Sequence, residues 1–252
     1  MSYYDDTEFS YDQFWVGRQY EHQSEILALE KLLGYKKINV AVDIGGGFGR
    51  LTKWLTTRSQ KIILIEPSEK MRKAAKKYLK NYSKVVVSKG QAENTNLPSH
   101  IANLVVMVRV MHHLPEVAVA LIEAGRILKP HGLLVLEFAN SLHMLARLNG
   151  WLTGKPILPI PVERRREENI AAGTIPFVNH HPVTMQKMLA RQGFKVVKIL
   201  SVSNFRSPIL KKIIPLQILL VLESIFQSLL SSFYLVPSIF ILAQKVDKIG
   251  NL

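Results

Sequence analysis

A short apolar run over residues 38–44 passes straight into Gly45-Gly46-Gly47-Phe48-Gly49, and residues 51–58 then take on helical character. A strand that turns on glycines into a helix opens a βαβ unit, which belongs to folds with parallel strands. Glycines at 45, 47 and 49 permit a tight turn and let a ligand touch the backbone. The dinucleotide pattern G-x-G-x-x-G does not fit from Gly45, because Arg50 stands at its last position. With Asp43 in front, the pattern is instead acidic-x-G-x-G-x-G.

The rest of the chain keeps the same rhythm. Helical periodicity recurs over 20–33, 68–80, 117–128 and 183–192. Apolar runs with strand character lie at 61–65, 84–88, 104–110, 133–138, 194–202 and 236–245. This alternation predicts an α/β, Rossmann-like, doubly wound fold with a mostly parallel seven-stranded sheet and helices on both faces. Residues 140–182 interrupt it with prolines, the basic run Arg164-Arg165-Arg166 and few periodic apolar positions. The expected organisation is one domain: an N-terminal helical lid (1–36), a cofactor-binding half (37–139), an inserted cap (140–182) and C-terminal strands with an amphipathic helix (183–252).

Composition removes several chemistries. The chain has no cysteine, which excludes disulfide scaffolds, thiolate metal sites and cysteine nucleophiles. Its histidines show no metal-ligand spacing, so no metal is expected. The formal net charge of +14 favours an anionic partner. Much of it falls in an acid-free stretch from Lys70 to Lys84, which reads as the wet face of an amphipathic helix or as a docking patch. A nucleic-acid partner is not expected, since the sequence shows no aromatic-interleaved basic platform of the kind that stacks bases. Residues 1–11 are acidic and lack an apolar stretch, so no secretory signal is read there and a cytoplasmic location, with membrane association as an addition, is the expectation.

Two further signals follow the glycine loop in order. Glu66 ends the second apolar run, where an α/β nucleoside-binding fold puts the carboxylate that accepts both ribose hydroxyls. Gln91-Ala92-Glu93 follows the third run, near where an adenine would lie.

With these residues the chain resembles the class I S-adenosylmethionine-dependent methyltransferases, in the branch of the ubiquinone/menaquinone-biosynthesis type, over nearly its whole length. Asp43, Gly45, Gly46, Gly47 and Gly49 match the first motif of that family. Glu66-Pro67-Ser68 matches its ribose-binding motif, and Met71 takes the place that packs on adenine. Residues 91–98 are similar to its D-A-E-x-L-P segment, with Gln91 in place of the aspartate, and Ala102-Asn103 replaces Phe-Asp before the fourth strand. Val110-Met111-His112-His113-Leu114, Leu128-Lys129-Pro130-His131-Gly132 and Gln192-Gly193-Phe194 resemble later motifs.

The resemblance implies S-adenosyl-L-methionine as cofactor, held by the first-motif residues with Glu66, Pro67, Met71, Gln91, Ala92, Val108 and Arg109. It implies methyl transfer to the oxygen or carbon of a small or lipophilic acceptor. His112, His113 and Glu137 are the candidates for handling the acceptor's proton. A turn that caps the next helix and a salt pair are the structural alternatives for them. Arg18, Tyr20, Asn140 and His180 are the candidate acceptor contacts. An RNA or protein methyltransferase, and a non-catalytic cofactor-binding or membrane-interaction module, are the competing functions.

Residues 216–233 carry a broad apolar face that includes Leu219, Val221, Ile225, Phe226 and Leu229, and a polar stripe that includes Gln217, Ser224 and Gln227. Three readings stand: a core helix, a helix on a membrane or lining a lipophilic tunnel, and a membrane span. Glu223 at mid-length and the final strand, which must return to the sheet, weigh against the span. Lys211 and Lys212 suit anionic head groups, so peripheral membrane contact is assigned to 209–233.

Overall fold

The computed structural model describes Asp5, residues 15–114 and residues 116–246. The rest of the expected lid within 1–14, Pro115 of the turn after the histidine pair and residues 247–252 lie outside the described residues.

Helix α1 (Gln19–Leu33) leads into β1 (Ile38–Ile44), α2 (Arg50–Leu55), β2 (Ser59–Ile65), α3 (Glu69–Tyr78), β3 (Val85–Ser88), β4 (Ala102–Met107), a 3-10 turn (Met111–His113), α4 (Val117–Ile127) and β5 (Leu128–Ala139). There follow α5 (Met144–Thr153), β6 (Val162–Glu163), α6 (Glu167–Ala171), β7 (Val178–Asn179), α7 (Pro182–Arg191), β8 (Phe194–Val202), α8 (Pro208–Ile213), α9 (Leu216–Leu229) and β9 (Ser238–Lys245).

The main sheet has seven strands in the order β3-β2-β1-β4-β5-β9-β8. β1 to β5 run parallel, and β9 is antiparallel to both β5 and β8. Side chains alternate between two cores, as the pleat requires. Val42, Ile44, Val105 and Met107 pack with Leu121 of α4 and Leu189 of α7. Ala41, Leu104 and Val106 pack on the other side with Leu29 of α1 and Leu55 of α2. The strand order reverses between β1 and β4, and a parallel sheet opens a ligand crevice beyond its strand ends at such a point.

Some local readings change. β5 begins at Leu128, not near 133, and its pairing with β4 jumps from Ala102↔Leu128 to Leu104↔Leu133. Pro130 has no N–H to give and His131 has φ 59°, so the extra residues form an irregularity rather than a helix end. The cap contains α5, which the sequence reading left without structure, and a two-stranded sheet of β6 and β7.

The C-terminal helix differs most. α9 stops at Leu229, and its buried seam is Leu219, Glu223 and Gln227. Tyr20 donates to Glu223 at 2.6 Å, and the backbone N–H groups of Ser203 and Asn204 donate to it at 2.7 and 2.9 Å. Gln227 donates to the carbonyl of Ser24 at 2.8 Å. The expected polar stripe therefore supplies much of the packing seam, and Ile218, Val221, Ile225 and Leu229 face outward. Among the described residues no helix is long and apolar enough to cross a membrane.

Candidate functional site

The crevice at the switch point contains an inner cavity of about 250 Å³. Gly45 turns there with φ 68°, and a Cβ on it would lie 2.5 Å from Val110 Cγ2, so this position admits no side chain. Gly47, with φ 56°, donates its N–H to Glu66 Oε2 at 3.0 Å. The N–H of Ser68 donates to Glu66 Oε1 at 2.9 Å, which leaves further lone pairs of the carboxylate for a ligand. Glu66 is only 4% exposed, and burial pushes its carboxyl up to about 7. Beyond it Met71, Ala92, Leu114 and Ile175 form an apolar slot with Gln91 beside it. A carboxylate that accepts a diol and a flat apolar slot next to it fit the ribose and adenine of S-adenosylmethionine.

An outer cavity of about 740 Å³ adjoins it, and Arg109 lines both. Arg109 sits at φ 61°, a left-handed conformation that non-glycine residues seldom adopt. Its N–H donates to Glu137 Oε2 at 2.9 Å, and Ser238 donates to Glu137 Oε1 at 2.9 Å. Burial pushes the Glu137 carboxyl up, against the pull of the Arg109 charge. The guanidinium of Arg109 reaches Glu25 on α1 at 2.7 Å, and Arg50 pairs with the same carboxylate. The Trp15 ring lies 3.6 Å from Arg50 Cζ and 4.7 Å from Arg109 Cζ. Burial opposes the charge on Glu25, but the two guanidiniums outweigh it and hold the carboxyl below its usual range.

His112 also lines the outer cavity. Burial, with the charges of His113, Arg109 and His180, pushes it down to about 2. Its Nδ1 is buried with no hydrogen-bond partner among the described residues. His113 lines the inner cavity, with its ring centroid 4.0 Å from that of His112 and Nδ1 2.7 Å from the carbonyl oxygen of Pro176.

Crystal structures of comparable shape include an S-adenosylmethionine-dependent methyltransferase of Mesorhizobium loti, 16% identical with a TM-score of 0.60 over 88% of this chain and 98% of that one. A SAM-dependent methyltransferase of Methanosarcina mazei is 16% identical, with a TM-score of 0.58 over 87% and 97%. The fold is that of the class I methyltransferases. Residues 42–136 match the family described as methyltransferase domain. A curated relative, an uncharacterised methyltransferase of Geobacillus sp. (strain WCH70), is 33% identical over 110 residues. The match covers 42% of this chain, and the chain spans about half the length of that relative, 51%. The same class I fold also occurs in the cyclase SpnF, with a TM-score of 0.59 at 14% identity over 88% and 81% of the two chains, so the fold by itself does not give methyl transfer.

Gly45, Gly47, Glu66, Pro67, Met71, Gln91, Ala92 and Arg109 line the inner cavity. Asp43, Gly46 and Gly49 support the loop from beneath: Asp43 is 3% exposed and accepts from Thr52 at 2.5 Å. Val108 does not line the cavity and is packed in the α1-side core. Of the acceptor candidates only Arg18 lines the outer cavity. Tyr20 is spent on Glu223. Asn140 donates to the carbonyls of Tyr234 and Val236 and accepts from Leu142, so it pins the end of β5. His180 is buried with Nε2 3.2 Å from the Met111 carbonyl oxygen. The sequence gives no sign of Ile175 of the cap or of His143 and Arg206 of the outer cavity, and Lys211, expected at anionic head groups, instead lines this cavity paired with Glu21 at 2.7 Å.

Proposed function

We propose that this chain is an S-adenosylmethionine-dependent methyltransferase acting on the oxygen or carbon of a small or lipophilic acceptor. The observation that carries this reading is the Glu66 carboxylate, held by two backbone N–H groups over an apolar slot that opens on a second cavity. S-adenosylmethionine, when bound, supplies a sulfonium methyl group, so that a new bond from the acceptor to carbon forms as the carbon–sulfur bond breaks and its electron pair stays on sulfur. The chain's own part is to align the acceptor and exclude water. Glu137, buried at the outer cavity and with its carboxyl pushed up, is the group suited to take the acceptor's proton. His112 is held neutral and is a weak base. Calorimetry with S-adenosylhomocysteine and with NAD tests the cofactor. Binding of the first alone supports the reading, and binding of NAD alone overturns it.

The proposal includes peripheral contact with an anionic membrane through 209–233. Ile209, Ile213, Ile218, Val221, Ile225 and Leu229 are all more than half exposed, and Lys212 is exposed beside them. Inserting such side chains favours binding, and the chain's positive charge adds attraction to anionic lipid. α5 is tied to the segment after α9 by bonds from Met144 and Arg147 to the backbone at Leu235 and Phe233, and it exposes Leu145, Leu148, Trp151 and Leu152. Co-sedimentation with anionic vesicles tests the contact. Wild type is expected in the pellet, in part released by salt, and Val221→Ser with Ile225→Ser in the supernatant. Wild type remaining in the supernatant would sink it.

A further inference from the structure

The outer cavity is lined by five cationic side chains, Arg18, Arg109, Arg164, Arg206 and Lys211, against the carboxylates Glu21 and Glu137. Lys211 is paired with Glu21 at 2.7 Å, and Arg109 with Glu25. Arg164 follows β6 in the cap and Arg206 precedes α8, so two separate segments deliver guanidiniums to one space. Neither makes an ion pair among the described residues. Both act on His143, which lines the same cavity and is pushed down by burial and then by their charges. Arg206 is itself disfavoured in its charged form by partial burial and by Arg109 and Arg18, against the opposing pull of Glu21 and Glu137.

Arg164 and Arg206 are both exposed where they line the cavity, and like charges gathered there repel one another, a repulsion that a bound anion relieves. Guanidinium forks match carboxylate and phosphate oxygens in pairs of hydrogen bonds. At about 740 Å³ the space exceeds a bare oxyanion, so a larger molecule carrying one fits better.

We propose that the outer cavity holds an anionic group of the acceptor, a carboxylate or a phosphate, between Arg164 and Arg206. The word acceptor rests on the methyltransferase reading; the anion site does not. The site would orient the acceptor by its charged end and leave the reacting atom near Arg109, where the two cavities meet.

The test titrates inorganic phosphate and acetate into the protein at constant ionic strength, with chloride as the matched control, and reads calorimetric binding and Tm. Saturable binding is expected for at least one anion, weakened tenfold or more in Arg164→Gln with Arg206→Gln. Phosphate alone selects a phosphate, and acetate alone a carboxylate. Displacement of bound phosphate by phosphatidate vesicles marks a lipid head group, and no displacement marks a soluble phosphate. Should the double variant fail to fold, Arg164→Lys with Arg206→Lys keeps the charge, removes the fork and is expected to bind more weakly than wild type. No saturable binding by wild type, or equal binding by the variants, would overturn the proposal. S-adenosylhomocysteine is titrated in parallel, because its failure to bind while the anion still binds would remove the methyltransferase reading and leave the anion site standing.

Discussion

Glu25 on α1 accepts from the Arg109 guanidinium at 2.7 Å, so the helix that precedes the sheet holds a residue that lines both cavities. Arg50 shares the carboxylate, and Trp15 stacks under both cations. Breaking a buried pair from one side is costly because it leaves the partner charge uncompensated. Glu25→Gln should therefore lower unfolding stability by about 3–5 kcal/mol in urea titration. The sign with pH follows from the lowered carboxyl of Glu25. Its stabilisation is present above the unfolded carboxyl value, about 4.3, and is lost as pH falls through the folded value. Acid unfolding of Glu25→Gln should lack that component; a variant that melts in acid as wild type does would contradict the assignment.

Glu66 titrates in the opposite sense. Burial raises its carboxyl to about 7, so its contribution to stability is present at low pH and lost as pH rises through that value. Ribose hydroxyls donate best to the ionised form. Affinity for S-adenosylhomocysteine should then rise as pH rises towards about 7 and level off above it. Glu66→Gln should weaken binding by about 1.5–3 kcal/mol and flatten the profile. Calorimetry between pH 5 and pH 8.5, about the range that brackets an unshifted histidine and the raised carboxyl, checks both.

The choice of proton acceptor is open to a direct comparison. For a hydroxyl or carbon acid acceptor, Glu137→Gln should lower kcat by about 10²–10⁴-fold, the usual loss when a general base is removed. His112→Asn should cost far less, since an imidazole pushed down to about 2 takes up a proton poorly. Nitrogen chemical shifts of His112 should show no protonation between pH 5 and pH 8, about the window in which an ordinary histidine titrates. A larger kcat loss from the histidine variant would reverse the assignment.

The glycine loop and Glu66 were legible in the sequence because local backbone geometry demands those residues at that spacing. Gly45 has no room for a Cβ, and a carboxylate at the end of β2 can reach the Gly47 N–H. Tyr20, Asn140 and His180 were not legible as structural residues. A polar side chain near a strand end serves either a ligand or an orphan backbone group, and only the tertiary partner decides. Arg206 and Lys211 come from a loop and a short helix with no motif around them. In α9, periodicity told which residues share a face but not which face packs. The facing groups on α1 and at 203–204 are polar, so Glu223 and Gln227 turned inward and the aliphatic row outward. In α5, Met144, Leu145, Leu148, Trp151 and Leu152 do recur at helical spacing, but the prolines and basic run around them mask the pattern.

Glu223 gives the last prediction. It is fully buried and accepts from Tyr20, from the Ser203 and Asn204 backbone and from Gln227 at 3.1 Å. Replacing it with leucine fills similar space but strands those donors, at about 1–3 kcal/mol for each that finds no water. Glu223→Leu should therefore destabilise by about 3–5 kcal/mol in urea unfolding. Tyr20→Phe removes one donor and leaves the Phe205 N–H, 2.8 Å from the hydroxyl, without an acceptor, so a smaller loss of about 1–3 kcal/mol is expected. The two sites touch, and their double-mutant cycle should show a coupling of about 0.5–3 kcal/mol. Additive losses would mean that the hydroxyl and carboxylate do not cooperate. Because the exposed row of α9 lies on the opposite face, any folded Glu223 variant should sediment with anionic vesicles as wild type does. A helix held only by its aliphatic side would instead tolerate Glu223→Leu and lose stability with Val221→Ser and Ile225→Ser.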